Sequence, residues 1–278
     1  MTPETDVSLE AKRVSIVIVA FNRLAALRQS LTQLGDAHQV IVVDNGSDDG
    51  TSVIESEFPA LRFIRLPKDF GLTKALNIGV RAAEGTYVLL LHDDAAITGD
   101  AVSKLADYLE EHQEAGAVAP LLLKPSGEPA PQVRELPSPS DPDPLFRPAQ
   151  GDAEIAAPCV SGAPIMFRSF FLRALRHIDE RYGNYGSEIE LCMQVRRANR
   201  KTIVLRDVTA VHEQLTSPMS RASLAGDRVA GIAVFIGKHH GFVSGILYRL
   251  QCAISGLFTF RFKVVAGAMA GAKIDGTS

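Results

Sequence analysis

The 278-residue sequence holds only three cysteines, Cys159, Cys192 and Cys252, odd in number and far apart. They form no metal-ligand spacing and imply no disulfide framework, which reads as reduced thiols in a cytosolic protein. The opening stretch "MTPETDVSLEAKR" is polar and lacks the apolar core of a secretion signal. No uninterrupted apolar run reaches the ~18 residues of a membrane-spanning helix. Charge of one sign is missing too: a formal net charge of -3 gives no global drive toward nucleic acid. There is no internal repeat. The first predicted strand is followed by "AFNRLAAL" rather than a glycine-rich turn, which argues against a dinucleotide-binding fold.

What is present is 46% apolar residues, the proportion of an ordinary globular protein. "VSIVIVA" (14–20), "QVIVVD" (39–44), "LRFIRL" (61–66) and "TYVLLL" (86–91) read as buried strands. Between the first two, Leu24, Leu27, Leu31 and Leu34 make one apolar helical stripe, with Asn22 as its predicted cap. A short helix over 51–57 and a longer one in "GLTKALNIGVRAAEG" complete four strand–helix alternations. That pattern predicts an α/β fold, a mostly parallel sheet with helices on both faces.

Open α/β sheets bind ligands beyond the carboxyl ends of their strands. Asn22, Asp44, Asn45, Asp93 and Asp94 all fall at such ends. His92-Asp93-Asp94 places two adjacent carboxylates at the mouth of a buried strand, where they repel each other. Either they are solvated turn residues or a cation offsets them. Mg²⁺ or Mn²⁺ beside a diphosphate would do so, since both take carboxylate, phosphate and water oxygens. Asp44 can accept the N3–H of a uracil or thymine ring, or serve as a turn residue in "DNGSDDGT".

A helix is predicted over 101–113 and a short strand at "AGAVAP". Between Lys124 and Pro148 lie eight of the 15 prolines, which excludes a regular helix or a central strand. This stretch reads as a long loop, either a mobile flap or a disordered insertion. Small residues in "VSGAP" (160–164) allow close backbone approach. Tyr182 and Tyr185 could pack on a sugar face or in the core. A helix and then a strand, "KTIVLRDVTAVH", follow, and beyond residue 216 the pattern is helical.

Five blocks in order, "VSIVIVAFNR", "VIVVDNGSDDGT", "FGLTKALNIGVRAAEGTYVLLLHDDA", "VSGAPIMFRSFFLRAL" and "HIDERYGNYGSEIELCMQVRRANRKTIVLRDVTAVHEQ", resemble family 2 glycosyltransferases, most closely the bacterial rhamnosyltransferase-like branch. The resemblance covers roughly residues 13–215. It implies a GT-A fold and inverting transfer from a nucleotide-diphosphate sugar, UDP- or dTDP-linked, with a divalent metal, Mg or Mn. It also implies that Ala20, Phe21, Asn22, Arg23, Asp44, Asn45, Lys74, Asn77 and Asp93 bind the nucleotide. Asp94 and His212 would hold the metal. The family's base is an aspartate preceded by a glutamate at a helix start; here that pair reads Ser187-Glu188. Glu188 is thus the expected base, one methylene longer, with Glu190 next in line. Ser187 and Glu190 have the spacing of a capping box, which would leave Glu188 free to face the site. A first-turn acid stabilised by the helix dipole is the plainer reading of Glu188.

The expected organisation is a flexible tail (1–12), a GT-A domain (13–215) and a helical C-terminal extension (216–278). Within the domain, 13–97 would bind nucleotide, 98–215 the acceptor, and 124–150 is the proline-rich loop. The acceptor would be a lipid-linked glycan, a small molecule or a carrier-protein-bound intermediate. The apolar C-terminal helices, broken by Arg249, Arg261 and Lys263, would lie at a membrane interface or form a dimer. The expected location is therefore cytoplasmic, in the first case peripheral at the inner face of the membrane. Two rivals remain open: a non-catalytic sugar-nucleotide or carrier binder of the same fold, and a nucleotidyltransferase.

Overall fold

A computed structural model describes residues 13–176, 178–213 and 221–270. The expected tail over 1–12 lies outside the described residues. The first half alternates β1 (Val14–Ala20), α1 (Leu24–Leu34), β2 (Gln39–Asp44), α2 (Ile54–Glu57), β3 (Arg62–Arg65), α3 (Leu72–Ala82) and β4 (Tyr87–His92). Then come β5 (Ala95–Ala96), α4 (Gly99–Glu111), β6 (Ala115–Leu123), β7 (Pro131–Arg134), β8 (Arg147–Pro148), β9 (Glu154–Ala156) and β10 (Cys159–Val160). The chain continues with β11 (Ile165–Arg168), α5 (Ser169–Ala174), α6 (Ser187–Arg197) and β12 (Lys201–His212). Three helices close it: α7 (Arg221–His239), α8 (Phe242–Phe258) and α9 (Phe262–Met269).

The main sheet has the order β3-β2-β1-β4-β11-β6-β12-β5, with β9 on β12. Strands β3, β2, β1 and β4 are parallel, as strand–helix alternation requires. β11 runs antiparallel between β4 and β6, and β12 is parallel to β6. Alternate residues of β1 point to opposite faces. Val17 and Val19 enter one apolar layer and Ile16 and Ile18 the other. Burial on both faces explains why these strands read as unbroken β-branched runs; each buried aliphatic side chain contributes about 1.5–3 kcal/mol.

Strand β6 extends past the expected "AGAVAP" to nine residues and contains Pro120. Proline cannot donate to a ladder, and the register of β12 against β6 shifts at that point, between Leu205 and Thr209. The proline-rich segment is not all loop, for it contributes two short strands. β7 pairs with β10 on one side and β8 on the other in a small second sheet. Gln132 anchors it, donating to the Pro120 carbonyl (2.6 Å) and accepting from Leu122 N–H (3.1 Å). Pro131 is the first residue of the middle strand β7 and Pro148 sits on the edge strand β8, both positions where proline is tolerated.

Candidate active site

Three strand ends form a polar rim. Beyond β1, Phe21 N–H donates to Asp93 Oδ2 at 3.2 Å. Asn22 takes a left-handed backbone (φ 53), a region asparagine enters more readily than most residues. It does not cap α1 as expected. Its side chain accepts from Asp48 N–H at 2.8 Å, and the first free amide of the helix, Leu24 N–H, is taken by Asp49 at 2.8 Å. Arg23 answers the question of the adjacent carboxylates. Its Nη1 lies 3.0 Å from Asp93 Oδ1 and 2.9 Å from Asp94 Oδ2, so one guanidinium bridges both. Burial lifts Asp93 to about 6 against the pull of Arg23.

At the end of β2, Asp44 is fully buried. Its Oδ1 accepts from Ser47 N–H at 2.9 Å. Its Oδ2 has no hydrogen bond; Arg65 Nε stands 3.7 Å away. A buried acceptor left without a donor is costly, so this oxygen is suited to a ligand N–H. Asn45 donates to Asp69 (2.6 Å) and accepts from Phe70 N–H (3.0 Å), fixing the turn that presents Phe70. Lys74 stacks on that ring, its Nζ 4.3 Å from the centroid. Asn77 departs from expectation. Its amide is used on both atoms of Ile178, donating to the carbonyl (2.9 Å) and accepting from the N–H (2.8 Å). It is a buried tie between α3 and the 178–184 segment rather than a rim residue.

His92, Asp94 and His212 gather at the end of β4, each offering a ligand atom, all within 4.8 Å of one another. His212 Nε2 is 3.0 Å from Asp94 Oδ1. Burial works against the Asp94 charge, but the bond to His212 and the neighbouring positive groups outweigh it and hold the carboxyl at about 2. Burial, with repulsion from His212, lowers His92 to about 4, so its imidazole is neutral at neutral pH. A neutral imidazole and an ionised carboxylate are the forms that ligate metals. The donor set therefore fits a divalent ion, and two imidazoles suit Mn²⁺ better than the all-oxygen preference of Mg²⁺. The sequence pointed to Asp94 and His212; His92 joins them because it is the last residue of β4.

A pocket of about 200 Å³ opens beside this cluster, lined among others by His92, Ser161, Gly162, Asn184, Tyr185 and Glu188. That is smaller than typical whole-ligand sites and has room for a single sugar ring. A side chain at Gly162 would come within 3.1 Å of Glu188 Cβ and 3.9 Å of His92 Nε2. Glycine there is what lets the "VSGAP" backbone pass between them. Ser161 Oγ and Asn184 Nδ2 are buried without hydrogen bonds. They could each meet a sugar hydroxyl.

The expected capping box does not form. Gly186 holds the cap position of α6 and has no side chain to give. Glu188 instead accepts from Gly186 N–H at 3.2 Å, and burial raises its pKa above the ordinary glutamate value. Arg134, from the proline-rich segment, lies 4.0 Å from Glu188 and partly offsets that shift. No sequence signal marked Arg134. Glu190 faces away from the pocket. It accepts from Tyr182 Oη (2.9 Å) and Gln194 (2.6 Å) and pairs with Lys238 (3.0 Å) and His239 (2.8 Å) of α7. Tyr182 is fully buried and belongs to the core, whereas Tyr185 lines the pocket.

The family model for glycosyl transferase family 2 matches residues 15–175, more than half of the chain. The chain belongs to glycosyl transferase family 2. It is 33% identical over 106 residues to the uncharacterized glycosyltransferase YwdF of Bacillus subtilis (strain 168). The match spans 35% of this chain and 38% of that relative. Among solved structures, this family 2 glycosyltransferase is similar to GalNAc-T7 with UDP, GalNAc and Mn²⁺ (TM-score 0.61, 12% identity, 82% of this chain and 48% of that one). It is similar also to the mannosyltransferase PcManGT from Pyrobaculum calidifontis with GDP-Man and Mn²⁺ (TM-score 0.59, 18% identity, 93% and 73%). At such identities the likeness shows the fold, which is the GT-A fold expected from the sequence.

Proposed function

We propose that the chain moves a hexosyl or N-acetylhexosaminyl group from a UDP- or dTDP-linked donor to an acceptor hydroxyl, with inversion at the anomeric carbon. A deoxyhexosyl donor, as in the rhamnosyltransferase-like branch, falls within the same class. The observation that carries the reading is that Glu188 and His92 face one pocket, the first a half-buried carboxylate with a raised pKa, the second part of the His92–Asp94–His212 cluster. UDP with Mn²⁺ in GalNAc-T7, and GDP-Man with Mn²⁺ in PcManGT, support a nucleotide-sugar donor and the ion.

In this reading Asp44 Oδ2 accepts the base N–H, and Arg23 keeps Asp93 and Asp94 in register. His92, Asp94 and His212 would hold a divalent metal, which offsets charge developing on the leaving diphosphate. Ser161 and Asn184 orient the sugar. Glu188 takes the proton of the acceptor hydroxyl as the new carbon–oxygen bond forms and the bond to the diphosphate breaks. Ionised and poorly solvated, Glu188 is a stronger base than a carboxylate in water. The acceptor hydroxyl would be carried on a lipid-linked glycan, a small molecule or a carrier protein.

The test is Glu188→Gln. Transfer should fall by about 10²–10⁴-fold while UDP affinity stays near the parent value. Parent-like turnover in this variant would move the base elsewhere. UDP binding by the parent without transfer or donor hydrolysis would favour a binding protein of the same fold.

A further inference from the structure

Helix α8 carries its large apolar side chains on the outside. Phe242, Ile246, Leu250, Ile254, Leu257 and Phe258 recur mostly at steps of three or four residues, one face of a helix, and are 39–82% exposed. The buried face has glycine instead. A side chain at Gly245 would stand 2.8 Å from the Cα of Gly237 on α7, too close for any residue with a Cβ. Of the 14 exposed large apolar residues among those described, 11 fall between Phe242 and Met269. A patch so concentrated marks a surface that is covered in use.

Charge says what covers it. From Phe242 to Ala270 there is no aspartate or glutamate, only Arg249, Arg261 and Lys263. Arg261 and Lys263 are exposed and interleaved with phenylalanines in "FTFRFK" (258–263). Arg249 donates to the carbonyls of Ala268 and Ala270. With Arg181 and Lys238 it lines a cleft of about 420 Å³ beside Phe242 and Ile246.

We propose that the α8–α9 face docks on an anionic lipid bilayer. Its apolar side chains enter the boundary between headgroups and acyl chains, and Arg261 and Lys263 meet headgroup phosphates. A second copy of the chain is the weaker fit. A two-fold contact through this face would bring the same cations together with no acid on the patch to offset them. No described helix is long and apolar enough to cross a membrane, so the contact is interfacial.

The docked helices are fixed to the pocket wall. Asp227 of α7 accepts from Asn184 N–H at 2.6 Å, and Gly231 lies against the Tyr185 carbonyl. Docking would therefore hold the Glu188 pocket at the bilayer, where a lipid-borne acceptor hydroxyl is found. That last step rests on the transferase reading; membrane binding does not.

Co-sedimentation of the full chain with vesicles tests the proposal, using phosphatidylcholine alone or mixed with phosphatidylglycerol. The parent should bind the mixed vesicles at least about tenfold better, and salt should release it. Leu250→Glu/Ile254→Glu and Arg261→Glu/Lys263→Glu should each lose about tenfold or more in binding, with parent-like circular dichroism and melting. Three results would overturn the proposal: equal binding to both vesicles, retained binding in either variant, or a homodimer that dissociates in the first variant while the parent ignores vesicles. Vesicle binding without any glycosyl transfer would leave this inference standing and sink the transferase reading instead.

Discussion

Arg134 Nη2 lies 4.0 Å from Glu188 Oε1, and neither Nη2 nor Nε of that buried guanidinium has a hydrogen bond. A buried cation this close favours the ionised carboxylate, whereas burial favours the protonated one, and burial wins. A base works only when ionised. The rate should therefore rise with pH through a Glu188 pKa that lies above the ordinary glutamate value. Arg134→Met removes the opposing pull and should move that limb to still higher pH, with Arg134→Lys in between. A kcat/KM profile checks it; an unmoved limb would deny Arg134 this part.

Glu190 and His239 join α6 to α7 of the C-terminal extension. Burial alone would raise the Glu190 pKa, but bonds from His239, Gln194 and Lys238 bring it down to about 2. A depressed carboxylate stabilises the fold above its unfolded pKa and ceases to do so as pH falls through the folded one. Glu190→Gln should thus cost about 3 kcal/mol near neutrality, and the gap to the parent should close between about pH 4.5 and 2. Urea melts across that range decide it. A pH-independent gap would mean that packing, not charge, makes the joint.

Much of this was legible in the sequence because it is local. Double burial gave β1, β2 and β4 their unbroken apolar runs, and each run ended in polar residues that the fold then gathered. Asn77 and Glu190 were misread because their partners, Ile178 and His239, are 101 and 49 residues away. Ser187 and Glu190 have capping-box spacing, yet Gly186 takes the cap and α7 takes the glutamate. Proline excluded a helix in 124–150 but not the short strands that form there, since Pro131 only opens β7 and Pro148 lies on the edge strand β8. Arg134 could not be found in the sequence at all, since a lone arginine among prolines gains its meaning only from Glu188.

Asn77 separates a structural tie from a ligand contact. Asn77→Ala removes two buried hydrogen bonds to Ile178 and should cost about 2–3 kcal/mol. UDP affinity, measured where the variant is folded, should change little. A stable variant with weakened UDP binding would return Asn77 to the nucleotide site.

The His92–Asp94–His212 cluster predicts a metal effect with a ligand-by-ligand signature. Chelation should abolish transfer, and Mn²⁺ should restore it better than Mg²⁺. His92→Ala should weaken Mn²⁺ binding by about 10–100-fold, and Asp94→Asn by at least as much. Calorimetry with Mn²⁺ alone reads this without any turnover. Equal Mn²⁺ affinity in parent and His92→Ala would leave the ion to Asp94 and His212.

The unfilled oxygen of Asp44 predicts base selection. With Oδ1 held by Ser47 N–H and Oδ2 without a hydrogen bond, the carboxylate can accept one more donor, such as the N3–H of uracil or thymine. A hydrogen bond to a charged group contributes about 1.5–3 kcal/mol, so Asp44→Ala should weaken UDP by about 10–100-fold. N3-methyl-UDP lacks that donor and should bind the parent poorly. In Asp44→Ala the methyl group meets no carboxylate, so UDP and its N3-methyl analogue should bind alike. Calorimetry on the two proteins and two ligands closes the cycle. Independent losses from the mutation and the methyl group would show that Asp44 and N3 never touch, and base recognition would have to be sought elsewhere on the rim.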